Sequence, residues 1–114
     1  MIPQIEPWID EVELNELSRV IKDNWITEGK KTEEFESEFK KLTGATHAFA
    51  VNNGTIGLHT AQKILGIGEG EEVIVPNLTF IASNNSVIMA GAKLVLTDVD
   101  KKAFNIDPEK LKEK

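Results

Sequence analysis

The chain has 114 residues, 40% of them hydrophobic and 28% charged, the make-up of one small domain able to bury about 65% of its unfolded surface. A net charge of −6 argues against nonspecific nucleic-acid binding, and the absence of cysteine excludes disulfides and thiolate metal sites. The amino terminus has no basic stretch leading into an apolar core, and no apolar run reaches membrane-spanning length, so the chain reads as cytoplasmic with neither nucleic acid nor membrane as partner.

Residues 1–10 read as an extended arm punctuated by Pro3 and Pro7. Val12, Leu14, Leu17, Val20 and Ile21 recur at helical spacing and predict an amphipathic helix to about Asn24. Trp25-Ile26-Thr27-Glu28-Gly29 breaks it as a loop. Thr32 is the expected N-cap of a second helix, with Glu33 and Glu34 in its electropositive first turn. Phe35, Phe39 and Leu42 share one face of that helix, and Gly44 closes it.

From His47 the pattern alternates strand and helix. Strands are predicted at 47–51, 72–75 and 93–97, the last two nearly continuous in Val, Ile and Leu. Strands apolar on both faces imply a parallel sheet covered by helices on each side, an α/β fold. Leu58, Ala61 and Leu65 mark one intervening helix, and 80–90 forms another that ends at Gly91. Asp107-Pro108 reads as an N-cap followed by proline at the first helical position. That last helix has barely begun at Lys114, so the chain is expected to be truncated there.

In such sheets ligands sit at the carboxyl ends of the strands. The turn after the first predicted strand carries Asn53-Gly54-Thr55 and opens a helix. A helix start offers unpaired backbone N–H groups and positive potential, Gly54 permits close approach, and Thr55 adds a hydroxyl. The pattern is either an anion site or an ordinary capped turn. The turn after the second strand carries Phe80, either a flat ring beside that site or a core residue on the inward face of its helix. Phosphate donors and a ring together outline pyridoxal phosphate or a nucleotide. Asp98 and Asp100 fit a turn better than a metal site, since no third ligand is in view. His47 and His59 lack the partners of a triad or a zinc centre. Ser83-Asn84-Asn85-Ser86 is an unusual polar run for a helix interior, suited to close approach of another subunit or of substrate.

Several motifs occur in a shared order: Trp25-Ile26-Thr27, Phe35-Glu36, Asn53-Gly54-Thr55 with Leu58-His59, and Gly66-Ile-Gly68-Glu-Gly70 running on to Pro76. Thr79-Phe80-Ile-Ala-Ser83, Gly91-Ala92 and Asp98-Val-Asp100 complete the series. Together they resemble the amino-terminal third of the DegT/DnrJ/StrS family of pyridoxal-phosphate (PLP)-dependent nucleotide-sugar aminotransferases, and within it the perosamine synthase type. Gly57 and Gln62 depart from the family's more usual alanine and leucine.

The resemblance implies the fold type I architecture, with 1–46 as an amino-terminal arm and helices and 47–114 as the start of the PLP-binding large domain, a three-layer unit around a mainly parallel sheet. It implies that Gly54 and Thr55 hold the cofactor phosphate, that Phe80 stacks on the pyridine ring, and that Thr27 lies on the substrate side. The implied substrate is a nucleotide-linked keto-deoxy sugar in polysaccharide or related sugar biosynthesis, with glutamate as amino donor and a homodimer as the intact enzyme. The family's Schiff-base lysine falls beyond residue 114. Of the twelve lysines only Lys93 adjoins a predicted strand, and at its amino end. The chain alone is therefore expected to be inactive, with no catalytic residue and no metal ligand assigned. A PLP-dependent sugar dehydratase of the same family and a non-catalytic phosphate- or nucleotide-binding α/β module are the alternatives. The family's first strand pairs with a late one, so 47–51 is expected to lack its neighbour here and the isolated chain to be unstable.

Overall fold

The computed structural model describes residues 2, 3 and 5–114 and divides into two units, Met1–Ala50 and Val51–Lys114. The first unit holds helices α1 (Glu11–Lys22) and α2 (Lys30–Thr43). A capping box starts α1: the Asp10 carboxylate accepts from Val12 N at 2.8 Å, and Asp10 N donates to Glu13 Oε2 at 2.9 Å. It ends at Lys22, two residues short of the expected Asn24, where the chain turns through a left-handed Asn24 at φ 52°.

Thr32 is not the cap of α2. The helix starts earlier, with the Gly29 carbonyl accepting from Thr32 N at 2.9 Å and Glu33 N at 3.1 Å. Trp25 sets that start. Its indole N–H donates to the Glu28 carbonyl at 2.7 Å, and a Cβ on residue 29 would fall 2.7 Å from the ring. Only glycine fits beneath the indole, so the loop closes there and the helix begins at the next residue. Gly44 ends α2 in the left-handed region at φ 72°, as its sequence position implies.

Lys31 joins the two helices by an ion pair with Glu16 at 2.8 Å. The Lys31 hydrogen bond holds the Glu16 carboxyl below the usual carboxylate range, and Glu16 in turn raises Lys31. A lowered carboxylate stabilises above its unfolded titration range and loses that contribution as pH falls through its folded one. With both side chains solvated, the tie is a weak one.

The second unit contains α3 (Gly54–Ile64), β1 (Glu72–Pro76), α4 (Ala82–Ala90), β2 (Lys93–Thr97) and the short α5 (Pro108–Leu111). β1 and β2 pair in parallel, from Glu72 opposite Lys93 to Pro76 opposite Thr97. α4 connects them and packs on both, and α3 packs along α4. Val75, Ala82, Val87 and Ala90 form the buried apolar centre, joined by Ser86 and Thr97. Gly91, left-handed at φ 84°, ends α4 and turns the chain into β2. Asp107 caps α5 by accepting from Glu109 N at 2.9 Å.

Two expectations need correction. Residues 47–51 form no ladder, because a strand exists only by pairing and β1 pairs with β2 instead. Within that stretch Ala50 N donates to Glu36 of α2 at 2.7 Å. The sheet is also not covered on both faces: among the described elements only α4 packs substantially on both strands. Apolar side chains stay open in each unit, with Ile21, Phe35 and Leu42 exposed in the first and Leu65 and Leu96 in the second.

The accessible area is 9758 Å², against roughly 6,200 Å² expected from the area–mass scaling of folded monomers at this mass. So small a buried centre cannot offset the conformational entropy of ordering the chain. The isolated 114-residue chain is expected to unfold without a cooperative transition and to bind a hydrophobic dye. A sharp calorimetric transition from a monodisperse sample would contradict this.

Candidate functional site

The start of α3 is capped by Asn53, whose Oδ1 accepts from Ile56 N at 3.0 Å, while the Asn53 carbonyl accepts from Gly57 N at 3.1 Å. Asn favours this position because its short side chain reaches the third helical amide. The two intervening amides, Gly54 N and Thr55 N, have no acceptor among the described residues, and neither has the Thr55 hydroxyl. The helix thus presents two backbone donors and one hydroxyl at its positive end.

Gly54 stands apart from the other glycines. Gly44, Gly66, Gly70 and Gly91 have positive φ, a Cβ on Gly29 would clash with the Trp25 ring, and one on Gly57 or Gly68 would make an ordinary contact at 3.5 Å. At Gly54 φ is not positive and nothing lies within 4 Å of an added Cβ. Neither backbone conformation nor internal packing calls for glycine there. The bare Cα faces open space beside the free amides.

Gln62 Nε2 donates to Ser86 Oγ at 3.0 Å, and a Cβ on Gly68 would meet the Ala90 carbonyl at 3.5 Å. α3 and α4 thus lie side by side. Gly54 and Thr55 begin one, and Phe80 lies just ahead of the other. Phe80 is 78% exposed and precedes α4, so it is not a core residue of that helix.

The polar run in α4 is partly absorbed by this helix contact. Ser86, fully buried, accepts from Gln62 and donates to the Ser83 carbonyl at 2.9 Å. Gln62, noted above as a departure from leucine, is therefore half of a polar link between α3 and α4. His59 Nδ1, Gln62 Oε1, Asn84 Oδ1 and Thr97 Oγ1 are buried without a partner among the described residues.

At the carboxyl edge of the sheet Asn77 N donates to the Thr97 carbonyl at 2.9 Å, and Asn77 Nδ2 donates to Asp98 Oδ1 at 2.6 Å. Local sequence places Asn77 and Asp98 in two separate turns and gives neither a partner. Proximity of two strand ends is a consequence of register, which no local pattern reports. The turn role belongs to Asp100, whose Oδ1 accepts from Lys102 N at 2.9 Å and Ala103 N at 2.7 Å. Lys93 lies at the opposite, amino end of β2, paired with Glu72 at 2.5 Å.

Thr27 belongs to the other unit. It lines an open cavity of about 760 Å³ together with Val20, Trp25, Gly29, Lys30 and Lys31. Gly54, Thr55 and Phe80 belong to the second unit.

Comparison with known proteins gives a consistent outcome. The model of the DegT/DnrJ/EryC1/StrS aminotransferase family matches residues 7–114. The spore coat polysaccharide biosynthesis protein SpsC of Bacillus subtilis (strain 168) is 42% identical over 110 residues, 96% of this chain and 28% of that protein. An aminotransferase from Psychrobacter cryohalolentis superposes with a TM-score of 0.86 at 39% identity, covering 95% of this chain and 28% of its own. A Streptococcus pneumoniae protein described as a sugar aminotransferase gives 0.90 at 33% identity over 98% of this chain and 29% of its own in its PLP form. It has also been solved in PMP and apo forms. The chain thus spans somewhat over a quarter of the length of these relatives, and its α/β unit is the amino-terminal part of the fold type I large domain.

The cap at Asn53 is open to direct measurement. Asn53→Ala is expected to destabilise the full-length, cofactor-free protein by about 1 kcal/mol, with Asn53→Asp close to unchanged. Equal denaturation midpoints for Asn53→Ala and the parent would show that the cap contributes nothing.

Proposed function

Because the chain belongs to the DegT/DnrJ/EryC1/StrS aminotransferase family, we propose that it forms the amino-terminal part of a PLP-dependent enzyme that aminates a nucleotide-linked keto-deoxy sugar. The supporting observation is the start of α3, where two backbone amides and the Thr55 hydroxyl lack acceptors beside a glycine that the fold itself does not require. A phosphate monoester suits that donor set, and a side chain on residue 54 would occupy the place of its oxygens. Phe80 suits the second half of the cofactor, since an exposed ring ahead of α4 can stack on a pyridine without disturbing any internal contact.

In this reading Gly54 and Thr55 anchor the phosphate, Phe80 holds the ring by one face, and Thr27 contributes to the substrate side. Residues 1–46 are the arm and helices, and 47–114 begin the cofactor-binding domain. The bound cofactor supplies an electron sink for the chemistry at the amine carbon. The chain's own residues bind and orient it. By the family resemblance the lysine that bonds the cofactor falls beyond these 114 residues, and Lys93, at the amino edge of the sheet and paired with Glu72, takes no such role. Glutamate is the amino donor, the intact enzyme is a cytoplasmic homodimer, and the product enters polysaccharide or related sugar biosynthesis.

Fold and function separate cleanly at residue 54. In the full-length protein Gly54→Ala is expected to weaken PLP binding about tenfold, or about 1.4 kcal/mol. The melting temperature of the cofactor-free form should not fall, since alanine has open space there and the better helix propensity. Phe80→Ala is expected to cost roughly two- to tenfold in PLP affinity, the range of an aromatic stack. Unchanged affinity in both variants would sink the assignment of this site. Transfer of the glutamate amine to a nucleotide-linked keto sugar by the full-length protein, followed by mass spectrometry, tests the activity.

A further inference from the structure

An exposed ring has no packing to orient it. Phe80 is 78% exposed, so its direction is inherited from the backbone of the β1–α4 turn. That backbone is fastened at two places. At its start Asn77 is tied to the end of β2 twice, through its amide to the Thr97 carbonyl at 2.9 Å and through its side chain to Asp98 Oδ1 at 2.6 Å. At its far side the hydroxyls of Thr79 and Ser83 lie 2.9 Å apart, and Ser83 N donates to the Phe80 carbonyl at 3.0 Å. Phe80 sits between the two fastenings.

We propose that Asn77 and Asp98 are a positioning pair, whose hydrogen bond clamps the β1–α4 turn to the end of β2 and so presents Phe80 to the cofactor ring. The side-chain bond spans 21 positions of sequence and joins the two loops at the carboxyl edge. An amide donor to a carboxylate is a charge-assisted bond, stronger than a neutral pair. Its contribution is orientation, since an exposed bond of this kind adds little to global stability. The pair acts through residue 80. The inference rests on the reading of Phe80 as the stacking residue.

The test uses the full-length protein and two readouts. In the cofactor-free form, amide hydrogen exchange at residues 77 and 83, whose amides donate to the Thr97 and Phe80 carbonyls, should rise in Asn77→Ala and Asp98→Ala. It should stay at the parent level in Asp98→Asn, which keeps an oxygen acceptor for Asn77. In the loaded form both alanine variants should weaken PLP binding by up to about tenfold, the equivalent of one charge-assisted hydrogen bond. They should also reduce the visible circular dichroism of the bound cofactor, and Asp98→Asn should restore both. In a Phe80→Ala background neither alanine substitution should cost anything further. Unchanged exchange in the alanine variants overturns the clamp, and so does a loss of affinity that adds in full to that of Phe80→Ala. Normal cofactor binding by Phe80→Ala overturns the stacking reading instead, and the exchange data then decide the clamp on its own.

Discussion

The parallel register of β1 and β2 is the constraint on which the second unit depends. Pairing Glu72 with Lys93 and Pro76 with Thr97 brings both strands to an end at the same level. The chain must then leave each strand at one edge, and the loops that follow meet there. Asn77 reaches Asp98 only because of this pairing. A shift of one residue would part them and would also turn each strand's buried side chains to the opposite face. The crossover through α4 follows, since parallel strands cannot be joined by a tight turn.

Helix packing supplies the second coordinate. α3 packs beside α4, linked by Gln62 and the buried Ser86. Positive helix ends and strand carboxyl ends are where α/β folds place anionic ligands. The free amides of Gly54 and Thr55 and the ring of Phe80 occupy these places. Nothing in the internal packing requires glycine at 54 or holds an aromatic at 80. Side chains that the fold does not need are the ones a ligand explains best.

Much of the local structure was legible in advance. Gly44 and Gly91 ended helices in the left-handed region, and Asp107-Pro108 opened one. β2 fell on the predicted residues, and β1 extended one further to Pro76. These features follow from backbone preferences of single residues and from runs of apolar side chains. The failures involve partners. Thr32 has the composition of a cap, but the Trp25 indole over Gly29 starts the helix earlier. Residues 47–51 have the composition of a strand but no neighbour to pair with, and strand propensity is a preference for a pleated, half-buried surface that must be supplied by something else.

By itself the sequence determined the α/β class, the glycine-terminated helix ends and the family, and it nominated Thr27, Gly54, Thr55 and Phe80, because these depend on local stereochemistry and on motifs in order along the chain. Only the tertiary structure decided that Gly54 is free of internal demands, that Phe80 is exposed, and that Asn77 meets Asp98. Each of those is a relation between segments many residues apart. Spacing along a chain carries no record of such distances until strand register and helix packing set them.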